Sequence, residues 1–103
     1  MKTFPVVPTG DGVSRQVLAD HENMMVVSFK FKKDGEGALH HHPHVQSTFV
    51  KSGQFRFFID KEEFVVNEGD SFVIPSNAEH GCVCLADGEL VDCFTPRRDD
   101  FLV

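Results

Sequence analysis

Apolar and polar residues alternate along much of this chain. Met25, Val27, Phe29 and Phe31 interleave with Val26, Ser28, Lys30 and Lys32, and Phe55, Phe57 and Ile59 interleave with Arg56, Phe58 and Asp60. Phe64 and Val73 sit in similar runs. A period of two places one set on each face of a β-strand. No long segment carries the three-and-four apolar spacing of an amphipathic helix. Turn-forming residues punctuate the runs. Residues 33–37 close one strand, Ser52-Gly53 breaks the next pair, and Asp60-Lys61-Glu62 joins two strands as a hairpin. Residues 67–70 make a turn in which Gly69 is free to take a positive φ, and residues 86–89 make another. Short strands at this spacing predict an all-β sandwich or barrel. Residues 1–13, with Pro5, Pro8, Gly10 and Gly12, read as an extended N-terminal arm. Such an arm packs on its own body or crosses to a second subunit, and the exposed edge it offers leads us to expect a homodimer.

Length and charge narrow the classes. The 103 residues suffice for one domain, 1–103, and are too few for two. The net charge is −6, and no basic cluster exceeds Lys32-Lys33 or Arg97-Arg98, which argues against nucleic acid or an anionic membrane as partner. No apolar stretch is long enough to span a bilayer and the N-terminus lacks a signal-peptide core, so the expected compartment is the cytoplasm. Cys82, Cys84 and Cys93 are odd in number, which excludes a complete disulfide framework. Reduced thiols packing as small apolar side chains are expected, ahead of a metal held by Cys82 and Cys84. Eleven phenylalanines with neither tryptophan nor tyrosine suggest an apolar core between sheets rather than a polar aromatic site.

The candidate chemistry lies in residues 40–46, His-His-His-Pro-His-Val-Gln, and in a lone His80 that follows Pro75 and Asn77. His40 and His42 are two apart and project from one face of a strand, while His41 points away. Gln46 and His80 would join them from other strands or strand ends, giving a four-ligand site of His40, His42, Gln46 and His80. Imidazole nitrogen suits zinc, iron, copper or nickel, and a carboxamide oxygen is an ordinary hard ligand. Four neutral ligands leave the metal its full positive charge. The bland alternatives are a solvated histidine run or an expression tag. The run is internal and followed by apolar residues, unlike a tag, and a solvated loop does not account for His80. His44 is placed near the site or on its rim, and His21 on the surface.

These residues resemble the cupin superfamily. The first cupin motif is matched by Gly35, His40, His42, Gln46 and Gly53, and the second by Gly69, Pro75 and His80. Asn77 stands where glycine is usual, and asparagine tolerates a positive φ better than most residues. Gln46 stands where glutamate is commoner. The resemblance implies a single-domain jelly-roll β-barrel. The C-terminal residues 91–102 look like the tail of the small pectin-degradation cupins that linearise unsaturated uronates. In that family the interval to the glutamine is one residue longer than between His42 and Gln46. The resemblance implies a divalent transition metal (zinc, nickel, iron or manganese) on His40, His42, Gln46 and His80. It implies catalytic roles for Asp92 and Arg98 and substrate binding by Phe94 and Arg98. The substrate implied is a small acidic sugar, a 4,5-unsaturated monouronate from pectin or alginate breakdown.

Read without the resemblance, Asp92 is equally a surface acid, residues 97–100 a solvated charge cluster and Phe94 plain core. Strand alternation puts Asp92 and Phe94 on one face, which favours a shared pocket. Ring opening of a uronate needs a Lewis acid, a proton carrier and a grip on the carboxylate, and a metal, Asp92 and Arg98 supply these. The competing readings are another metal cupin enzyme, a dioxygenase or sugar isomerase, and a non-enzymatic sugar-binding module.

Overall fold

The computed structural model describes residues 3–102; Met1 and Lys2, the start of the expected arm, and Val103 lie outside the described residues. Eight strands follow one another: β1 Val6–Gly10, β2 Val13–His21, β3 Met24–Phe31, β4 Glu36–His40, β5 Val45–Ile59, β6 Glu62–Asn67, β7 Ser71–Ile74 and β8 His80–Thr95. A short 3-10 turn, Asp99–Leu102, is the last element of the described residues. All strand pairs are antiparallel.

The two long strands, β5 and β8, organise the barrel. The first part of β5 lies between β7 and the last part of β8, which in turn pairs with β3, β2 and β1 beyond it. The last part of β5 lies between β6 and the first part of β8, which pairs with β4. Each long strand therefore belongs to both faces of a jelly roll. They cross from one to the other where the register between Val50 and Phe55 shifts, with residues 86–89 opposite. The expected break at Ser52-Gly53 and turn at residues 86–89 are instead facing irregularities within two continuous strands. Gly53 has φ +84, and a Cβ there would lie 2.6 Å from the carbonyl oxygens of Ala86 and Asp87. The turn chemistry is real, and it bends strands rather than ending them. The hairpin at Asp60-Lys61 and the turn at Gly69, φ +91, form as expected. Residues 6–10 of the expected arm pair with the chain's own β2.

The interior fills from alternating positions. Val13, Phe31, Val50, Phe55, Phe57, Val66, Cys82, Cys84 and Leu90 form one buried cluster, and Val17, Met25, Val27 and Phe94 a second. Each large side chain so buried contributes about 1.5–3 kcal/mol. The three cysteines are free, and Cys82 and Cys84 are buried in the core as small apolar side chains. Burial pushes the Cys82 thiol up to about 12, which keeps it protonated. Among the described residues no helix is long and apolar enough to cross a membrane.

Candidate metal centre and cavity

Four inward positions that alternation would give to apolar residues are polar: Gln46 and Thr48 on β5, His80 and Asp92 on β8. Register sets them together. Thr48 is paired with Asp92, Gln46 with Phe94, and His40 with His80. His40 is the last residue of β4, and His42 lies just beyond it, not on the strand. His42 is held there by the turn before β8. Asn77, at φ +62, donates its backbone N–H to the His42 carbonyl at 2.8 Å, and the Ser76 hydroxyl donates to the Pro43 carbonyl at 2.6 Å. Asn77 thus takes the left-handed conformation for which glycine is usual in the motif. His41, also beyond the end of β4, is exposed, and so is His21. His44 is half-buried on the rim, its ring 5.3 Å from that of His42 and its Nε2 3.1 Å from the Arg97 carbonyl.

His40, His42 and His80 converge, each offering a ligand atom within 4.8 Å of the others. Their backbone contacts fix the tautomers. His40 Nδ1 lies 2.7 Å from the Ala38 carbonyl, His80 Nδ1 2.9 Å from the Ala78 carbonyl, and His42 Nδ1 3.1 Å from the His44 carbonyl. Each Nδ1 therefore carries the proton and each Nε2 keeps a lone pair. His80 Nε2 is buried and has no hydrogen-bond partner. The Thr48 hydroxyl donates to Asp92 Oδ1 at 2.7 Å and accepts from Gln46 Nε2 at 3.0 Å, which turns Gln46 Oε1 toward His42 Nε2, 3.1 Å away. With the Nδ1 protons so placed, two acceptors face each other across that gap, an arrangement a cation between them relieves. The donor set, three imidazoles and one neutral amide, fits a divalent transition metal. Burial, reinforced by the neighbouring histidines and Arg98, lowers His80 to about 4 and holds it neutral and ligand-ready; His42 is lowered too, mainly by burial.

Beside the histidines opens a cavity of about 270 Å³, lined among others by His40, Gln46, His80, Asp92, Phe94 and Arg98. Asp92 is 5% exposed. Burial raises its carboxyl from 3.8 to about 7, outweighing Thr48, Gln46 and Arg98, which pull it down. Phe94 is buried and packs edge-on against His42 at 5.6 Å, so it is both core and cavity wall. Arg98 stacks on Phe101 at 4.3 Å and Phe94 at 5.1 Å, and its Nε and Nη2 donate to Asp100 at 3.1 and 3.0 Å. Arg97 forks Asp20 at 2.9 and 2.7 Å and ties the tail to the β2–β3 hairpin. The tail is thus bonded to the body and is no loose charge cluster.

Beyond Phe94, the sequence does not reveal Thr48, Arg15 or the rest of the aromatic wall at this end, where phenylalanines face polar chemistry as well as core. Thr48 and Arg15 carry no motif. Their one signal is a polar residue at an inward position of a strand, visible only once strand and face are assigned.

The comparisons with known proteins agree with this geometry. Residues 27–92 match the model of the cupin domain. The pectin degradation protein KdgF of Dickeya dadantii is 36% identical over 95 residues, 90% of this chain and 86% of that protein. The structure of KdgF from a Halomonas species superposes with a TM-score of 0.91 at 31% identity, covering 98% of both chains. An RmlC-like cupin from Shewanella frigidimarina does so at 0.90 and 38% identity, covering 95% of this chain and 88% of that one. By sequence and by architecture, this chain belongs to the cupin family.

Proposed function

We propose that this protein opens the ring of 4,5-unsaturated monouronates released in pectin or alginate breakdown, giving linear keto-uronates. The observation that carries the proposal is a buried carboxyl, Asp92, raised by burial to about 7 and facing the same small cavity as His40, His80 and Arg98, with His42 converging on those two histidines. The likeness to proteins named for pectin degradation supports the substrate class.

The reaction is an isomerisation. The C1 hydroxyl loses a proton and the C1–O5 bond breaks to leave an aldehyde. The enol oxygen left on C5 becomes the ketone as C4 takes up a proton, so no atom is gained or lost. Asp92 is the residue to receive and return that proton, because a carboxyl near 7 exchanges at neutral pH in both directions. Thr48 donates to Oδ1 and so fixes the orientation of the carboxyl. Arg98, held in place by Phe94, Phe101 and Asp100, gives the sugar carboxylate one contact from its Nη1 edge. Phe94 gives the ring an apolar wall. His40, His42, Gln46 and His80 would hold the metal, which when bound supplies Lewis acidity toward the sugar oxygens.

The test is the loss of conjugated enol-ether absorbance with freshly made monouronate and protein loaded with zinc, nickel, iron or manganese. Wild type should exceed the spontaneous rate. Asp92→Asn should lose turnover and keep binding, and the His42→Ala/His80→Ala double variant should lose the metal. Wild type no faster than the spontaneous rate with every metal overturns the enzymatic reading in favour of a sugar-binding module.

A further inference from the structure

Strand β2 carries Val13 and Val17 buried, at 8% and 5% exposure, and Arg15 falls between them on the same inward face. A cation at such a position calls for a counter-charge. Arg15 stands opposite Phe29 on β3 and lines the cavity beside the histidines. Its guanidinium carbon is 4.3 Å from the centre of the Phe101 ring, and that of Arg98 is at the same distance from the same ring. Two like charges are therefore held within twice that distance of each other. Arg98 has Asp100 across its Nε and Nη2. Among the described residues no carboxylate lies within ion-pair range of Arg15. Glu36 also lines the cavity and pairs with neither arginine. Asp92, the other acid of the lining, is hydrogen-bonded to Thr48, and neither lining carboxylate is ion-paired with Arg15 or Arg98.

We propose that Arg15 is the principal anion-holding residue of this cavity, receiving the carboxylate of an acidic sugar and fixing which end of it faces the histidines. The inference rests on reading the cavity as a uronate site. Arg98, engaged side-on by Asp100, offers the sugar its Nη1 side, whereas Arg15 keeps its whole fork for a carboxylate. The Phe101 ring holds the Arg15 plane in place without neutralising it.

The experiment is calorimetric titration of the metal-loaded protein with galacturonate and with its methyl ester, which keeps the hydroxyls and lacks the charge. Wild type should prefer the acid. Arg15→Gln should lose at least tenfold in affinity for the acid, about 1.4 kcal/mol, with the ester unaffected, and Arg15→Lys should recover part of the loss. Equal affinity of wild type and Arg15→Gln for the acid overturns the proposal. So does a loss shared equally by acid and ester, or a wild type indifferent to the charge. Should Arg15→Gln fail to fold, the Arg15 Nε–H resonance of wild type decides. A shift with the acid and not the ester supports the proposal, and no shift overturns it. Acid binding that depends on Arg15 without accelerated ring opening would remove the enzymatic reading alone. Ring opening at full rate and unchanged KM in Arg15→Gln would remove this one alone.

Discussion

Asp92 shows what a single side chain can cost a fold. Its carboxyl is raised from 3.8 to about 7 by burial, so the folded protein binds its proton more tightly than the unfolded chain does. Between those two values the native state holds more protons, and stability falls as pH rises through that window. Metal-free wild type should therefore lose stability from about pH 4 to pH 8 relative to Asp92→Asn. The difference should be on the order of a few kcal/mol at the upper end, since each tenfold difference in proton affinity between folded and unfolded states is worth about 1.4 kcal/mol. Thermal denaturation of both proteins across that range checks it, and parallel curves would show that Asp92 is not strained by its burial. At this scale the sequence was legible where residue chemistry is scarce. Three histidines at His-x-His and His80 spacing point to one another, and Asp92 and Arg98 came with the tail. Thr48 and Arg15 did not, because a threonine or arginine in a strand is commonplace until its face is known.

At the scale of elements, the alternation of apolar residues revealed strands but not how far they run. Ser52-Gly53 and residues 86–89 have the composition of loops, yet the two segments lie against each other and carry β5 and β8 from one sheet to the other. Contact between segments more than thirty residues apart decides this, and no local pattern contains it. A Cβ on Gly88 would run into the Ser52 carbonyl oxygen and approach the Gly53 Cα to 2.8 Å, backbone that cannot swing aside. Gly88→Ala should destabilise the protein by roughly 2 kcal/mol or more through overpacking. Gly10→Ala, where nothing lies within 4 Å of the added carbon, should be close to neutral. Chemical denaturation of the pair tests the assignment, and equal midpoints would refute the bend.

The whole molecule keeps apolar surface on its outside as well as its inside. Val45, Phe49 and Val73 are 42%, 45% and 60% exposed. They lie on the neighbouring strands β5 and β7, where register sets Ser47 against Val73 and against Cys93. The expectation of a homodimer began with the N-terminal arm. With residues 6–10 paired to the chain's own β2, this sheet face is the better candidate for a second copy. Light scattering at micromolar concentration should return a dimer mass, and Phe49→Asp with Val73→Asp should shift it to monomer. A monomer mass for wild type removes the dimer and leaves the fold untouched.

The histidine anchors have a consequence for how such a centre changes over evolutionary time. Each imidazole is oriented by a main-chain carbonyl two residues away in its own segment, Ala38, His44 or Ala78. No other side chain is needed to set the tautomer. The tautomers thus travel with two short peptide stretches, while the meeting of the three rings rests on the β4–β8 register that sets His40 against His80.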